Sequence, residues 1–173
     1  GTYAIEYLLN DAGTAYLGDL RFADGSPVFN DREVSHMLDV KIVVQGALRA
    51  LTALALALGG LGLWAWRGGW MHAFRRALSR GGWWAWWGIV GTAGLFGVAF
   101  LVGGAQGLYL FFWNMFAGFH AIFFEGDSWL FLYSDTLIRL FPIRFWQDMF
   151  LYVFAFTALG GAALGWLVKP RQA

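Results

Sequence analysis

The chain contains no cysteine. Disulfides, thiolate nucleophiles and cysteine-ligated zinc sites are therefore excluded. Charge is also scarce: 13% of residues are Asp, Glu, Lys or Arg, against roughly 25% in ordinary soluble domains. Acidic residues are missing altogether between positions 42 and 124. GxSxG, HExxH and phosphate-binding-loop motifs are absent, so no familiar soluble-enzyme chemistry is signposted. Of the three histidines, neither His36 nor His120 has another four residues on, which makes any zinc signal weak. What remains is 59% hydrophobic and 20% aromatic, with a mean hydropathy of +0.55. This is the composition of an integral membrane protein, and 173 residues suit one small domain. The chain opens at Gly1 without Met or a signal peptide and reads as starting inside a longer protein.

A helix needs ~20 apolar residues to cross the hydrocarbon core. Residues 42–66 satisfy this, with Gln45 and Arg49 near the start able to snorkel toward the interface. Residues 149–168 form another span. Between Trp83 and Phe124 there is no Lys, Arg, Asp or Glu, a stretch too long for one crossing and just long enough for two. The charge distribution chooses between them. Arg67, Arg75, Arg76 and Arg80 share a loop without acid, and the tail carries Lys169 and Arg171. Cytoplasmic loops are rich in Lys and Arg, so loop and tail both belong inside and an even number of spans separates them. The reading is an all-α transmembrane helix bundle with three spans and a small extracytoplasmic cap. Its segments are the cap (1–41), a span (42–66), a cytoplasmic loop (67–82), a span (83–105), an apolar extension with an outer interfacial segment (106–148), a span (149–168) and a cytoplasmic tail (169–173). Trp64, Trp66, Trp70, Trp83, Trp84, Trp86 and Trp87 bracket the arginine loop as an aromatic belt.

Within the cap, Thr2 to Asn10 is expected as a short helix or strand with Tyr3 and Tyr7 on one face. Asp24-Gly25 is a hairpin turn signal. Asn30 followed by Glu33 is a capping box that starts a helix carrying His36. In the second polar block, Glu125 to Ser128 forms a turn. Ser134 or Asp135 caps a short helix through Leu140, which Pro142 ends.

Imidazole is the most frequent general acid or base near neutral pH. His36 and His120 face the same side in this topology and can divide the two roles, while His72 belongs to the cationic inner loop. Asp39 is placed to orient His36, and Asp127 or Asp135 to orient His120. Arg139 suits a phosphate, a carboxylate or a developing oxyanion. Each has a structural alternative: a cap hydrogen bond for His36, an i, i+4 partnership with Asp135 for Arg139. Lys41 reads as an interface anchor.

EVSHMLDVK (Glu33 to Lys41), FHAIFFEGDSW (Phe119 to Trp129) and SDTLIRLFPIRFW (Ser134 to Trp146) together resemble the bacterial lipoprotein intramolecular transacylases. The resemblance implies four membrane helices, the first preceding Gly1, beneath an outer cap. It implies two catalytic histidines at the cap–membrane boundary, matching His36 and His120; beside them Asp39, Asp127, Ser128, Trp129, Asp135 and Arg139 are read from the sequence itself as supporting or substrate-positioning residues. The implied reaction moves the sn-2 acyl chain of a diacylglyceryl lipoprotein to the α-amine of its N-terminal cysteine. The implied partners are that lipoprotein and membrane lipid, with no nucleic acid, no cofactor and no metal. The implied location is the bacterial cytoplasmic membrane, with the site on the extracytoplasmic side. Alternatives from another class are a non-catalytic lipid- or partner-binding membrane protein and a metal-handling protein using the same histidines.

Overall fold

The computed structural model describes residues 1–169. The expected tail therefore lies, beyond Lys169, outside the described residues. Among these residues six helices follow in order: α1 (Thr2–Leu9), α2 (Ala15–Gly18), α3 (Asp31–Arg67), α4 (Met71–Phe123), α5 (Thr136–Leu140) and α6 (Ile143–Leu167). Among the described residues there is no strand. The Asp24-Gly25 signal produces a tight turn with one isolated bridge, Arg21 to Pro27, in which Asp24 accepts hydrogen bonds from the Ser26 amide and hydroxyl.

Three helices, α3, α4 and α6, are long and apolar enough to cross a membrane. Their large side chains are extensively exposed, with Leu56 at 73%, Leu101 at 83% and Val102 at 85%. Apolar surface on this scale is incompatible with water and calls for lipid. α3 begins as the capping box requires. The Asn30 amide donates to Glu33 Oε2 at 2.8 Å, and the Glu33 amide donates to Asn30 Oδ1 at 2.9 Å. The helix then continues without a break from the cap segment into the apolar stretch. Its 37 residues are ~55 Å long at ~1.5 Å per residue, well beyond a hydrocarbon core of ~30 Å.

The segment assigned to a loop at 67–82 is mostly helical. The turn between α3 and α4 is confined to Gly68 to Trp70, closed by the Gly68 amide on Trp64 O and the Trp70 amide on Ala65 O. Nor does α4 run straight. Gly104 has φ 59° and ψ −147°, a combination reached essentially only by glycine. The Phe96 and Phe111 rings lie 4.8 Å apart, although a straight helix would separate residues so spaced by ~22 Å. A Cβ on Gly107 would collide with the Ala99 carbonyl oxygen. The chain therefore bends sharply at Gly104, and residues 105–123 do not extend the preceding helix along its axis.

The chain divides into two units, residues 1–53 with 117–146, and 54–116 with residues from 147 onward. The core of the first comprises Ala4, Tyr7, Leu17, Phe29, Met37 and Leu137. Tyr3 and Tyr7 do share a face, each meeting the Tyr16 ring at 6.3 and 6.1 Å. Lys41, expected as an interface anchor, is instead 6% exposed. Its ammonium donates to Asn10 Oδ1 and the Ala12 carbonyl, and sits 4.0 Å from the centre of the Tyr7 ring. A buried cation needs such compensation, and these contacts tie the loop after α1 to α3.

In the second unit α4 and α6 approach through glycines. A Cβ on Gly82 would lie 2.7 Å from Gly165 N, and one on Gly161 2.7 Å from Gly82 O. Ser79 Oγ donates to Gly165 O at 2.8 Å beside this contact. Small residues permit such close packing where lipid removes the hydrophobic drive between helices. Edge-on rings extend it, Phe96 with Phe154 and Phe112 with Phe150.

Candidate active site

His36 lies in the second turn of α3, ahead of the apolar stretch at 42–66, and is 9% exposed. His120 lies in the last turn of α4 and is 7% exposed. Both belong to the first unit. The Phe124 ring joins them: its centre is 4.9 Å from His36 and 5.5 Å from His120. Phe131 meets His36 edge-on at 5.2 Å. Trp129 covers His120 at 4.7 Å, and Trp146 approaches it edge-on at 6.2 Å. Two imidazoles separated 84 positions in sequence thus share one aromatic enclosure.

That enclosure sets the chemistry of His36. Burial pushes its pKa down to about 4, helped by the positive charge that His120 and Arg32 present. At neutral pH His36 is an uncharged imidazole, free to accept a proton. Its Nδ1 is buried without a hydrogen-bond partner.

The supporting residues occupy distinct positions. The backbone carbonyl of Asp127 accepts a hydrogen bond from Arg32 Nη2, and the Arg32 guanidinium also lies 5.5 Å from the centre of the Phe131 ring. Arg32 thus clamps the Glu125–Ser128 turn onto α3. The turn itself forms as expected, with the Ser128 amide on Glu125 O and Gly126 at φ 53°. The Ser128 hydroxyl is buried and unpartnered. Asp135 Oδ2 accepts from the Leu132 amide at 2.8 Å, and Oδ1 from Asn30 Nδ2 at 3.5 Å. Asp135 therefore ties the start of α5 to the Leu132 amide and to Asn30. Arg139 lines a separate small hollow with Tyr3, Phe22, Phe29 and Thr136. It does not pair with Asp135, whose carboxylate is engaged elsewhere.

Two contributors were not evident from spacing. Glu33, fully buried at 2% exposure, accepts a 2.7 Å hydrogen bond from the Leu137 amide in addition to its capping role. One carboxylate so joins the start of α3 to α5 across 104 positions. Arg32 is the other; its place next to the capping acid carried no signal of a partner 95 positions away. Among the described residues no group of three or more His, Asp or Glu side chains is arranged to hold a metal ion.

The chain matches the family described as lipoprotein intramolecular transacylase Lit over residues 2–146. It belongs to that family. It is also 28% identical over 158 residues to an uncharacterized protein of Aquifex aeolicus (strain VF5), covering 91% of this chain and 64% of that protein. The chain thus spans less than two thirds of that relative. No solved structure matches it.

Proposed function

We propose that this chain carries the active site of a membrane O-to-N acyltransferase. It moves the sn-2 acyl chain of a diacylglyceryl lipoprotein to the α-amine of its lipidated N-terminal cysteine. The observation that carries this reading is the pair of buried histidines against one Phe124 ring. Family membership supplies the substrate class.

The attacking α-amine has an ordinary pKa of about 7.7–8.0, so much of it is protonated at neutral pH. Burial among Phe124, Phe131 and Trp129 disfavours the charged ammonium. One histidine takes the proton that the amine loses as its nitrogen bonds to the ester carbonyl carbon. The other protonates the sn-2 oxygen as its bond to that carbon breaks. The products are an amide and a free sn-2 hydroxyl, with no atom gained or lost. The cyclic intermediate passes through N, Cα, Cβ, S, two glycerol carbons, the ester oxygen and the acyl carbon. Such a ring closes poorly in a mobile lipid. Holding amine and ester together is therefore the main contribution, since well-oriented intramolecular reactions gain roughly 7–11 kcal/mol in this way.

The site is assigned to the extracytoplasmic side, because every acidic residue lies in 1–41 or 125–148 while the arginine loop carries none. The test is incubation of the membrane-embedded protein with a synthetic diacylglyceryl lipopeptide, followed by tandem mass spectrometry. The expected product has unchanged mass and fragments bearing one acyl chain on the cysteine nitrogen. Release of free fatty acid would replace this reading with a lipase, and unaltered lipopeptide would remove it.

A further inference from the structure

We infer that Ser128 is the oxyanion donor of the site: its hydroxyl hydrogen-bonds to the ester carbonyl oxygen as that oxygen becomes negatively charged. This rests on the transacylase reading and adds a role that the histidine pair leaves unfilled. General acid–base catalysis moves protons at the amine and the leaving oxygen, but neither histidine so occupied is free to stabilise the carbonyl oxygen.

The first observation is that Ser128 Oγ is buried with no hydrogen-bond partner. Such a group is costly and rare in a folded chain, and demands an explanation. The second is its location. The residue before it is clamped by Arg32 through the Asp127 carbonyl. The residue after it, Trp129, lies 4.7 Å from the His120 ring. Arg32 reaches Phe131, which in turn meets His36. Ser128 thus sits between a residue clamped to α3 and a residue packed on His120. The other buried unpartnered hydroxyl among the described residues, on Tyr7, belongs to the cap core instead. A donor fixed in advance in an apolar setting is worth most where charge develops during reaction. The serine keeps its proton throughout, and no covalent acyl-serine is involved.

The experiment compares wild type, Ser128→Ala and Ser128→Cys in single-turnover conversion of the lipopeptide, with thermal stability measured in parallel. Removing one oxyanion donor typically costs ~10²–10³-fold in rate, so Ser128→Ala is expected to lose ~10²-fold or more in the rate constant with little change in half-saturating substrate. Its Tm is expected to equal or exceed that of wild type, because an unpaired buried hydroxyl has been removed. Ser128→Cys, close in shape but a weak donor, is expected to be folded and slow, and it decides the matter if the alanine variant does not fold. Full activity in a variant without the hydroxyl overturns the inference. So does a lower Tm with a proportionate loss of active protein, which marks a structural serine. Absence of transfer by wild type instead removes the transacylase reading itself, and this inference with it.

Discussion

Glu33 offers the sharpest test of how the site is assembled. Its carboxylate is 2% exposed and accepts two backbone hydrogen bonds, from Asn30 at 2.8 Å and from Leu137 at 2.7 Å. Hydrogen bonds to a charged group are worth roughly 1.5–3 kcal/mol each. Glu33→Ala removes both, strands the Leu137 amide beside a side chain that is itself 5% exposed, and leaves the start of α3 with only the Asn30 side chain as cap. Relief of the desolvation of the carboxylate offsets part of this. The expected net loss is about 3–4 kcal/mol, a large share of the roughly 5–15 kcal/mol typical of a folded domain. Glu33→Gln keeps one carbonyl acceptor and one of the two bonds, so about half the loss is expected. Equilibrium unfolding in detergent, followed by tryptophan fluorescence, measures both. Trp129 and Trp146 report on the histidine enclosure. A Glu33→Ala variant within about 1 kcal/mol of wild type would refute the view that this carboxylate joins α3 to α5.

The remaining expectations concern pH and glycine. With His36 held near 4 against about 6.5 in the unfolded chain, the unfolded state binds a proton in that interval that the folded state refuses. The contribution of His36 is therefore complete above about pH 6.5 and falls toward pH 4, by up to ~3 kcal/mol; unfolding across this range with His36→Ala as reference should show a steeper slope in wild type. Gly82→Ala places a methyl group against the backbone of α6 and is expected to destabilise by about 2 kcal/mol or more. Gly91→Ala has nothing within 4 Å and should be neutral or gain up to ~1 kcal/mol, so a ratio of unfolding midpoints near unity would contradict the packing. Gly104→Ala forces a side chain into the bend of α4, at ~1–3 kcal/mol. The ring contact of Phe96 with Phe111 should loosen with it, which a change in distance between spin labels near both ends of the bend would detect.

Much of this was legible in the residues. Composition and the charge-free stretches marked three membrane-crossing helices. The Asn30–Glu33 capping box, the Glu125–Ser128 turn and the short helix ending before Pro142 were each local signals, and local signals translate directly into backbone hydrogen bonds. The helical course of residues 71–82 was hidden because its three arginines look like a loop by hydropathy, yet arginine is a good helix former. The bend at Gly104 was masked by abundance: one glycine among the ten of α4 carries no mark of its torsion angles. In the site, the histidines stood out as rare polar groups flanking apolar runs. Asp39 and Asp135 are spaced as orienting partners, but Asp135 is consumed by the Leu132 amide and Asn30, and His36 Nδ1 has no partner. Glu33 and Arg32 act across some hundred positions, and no spacing rule reaches that far.

The central claim is that His36 and His120 act together on one acyl transfer. The most direct test is single-turnover conversion of the diacylglyceryl lipopeptide by wild type, His36→Ala, His120→Ala and the double variant, each verified as folded by its unfolding midpoint. The account predicts that each single substitution abolishes formation of the N-acylated product, and that the double variant is no worse than either one. Wild-type activity retained in either folded single variant would contradict it.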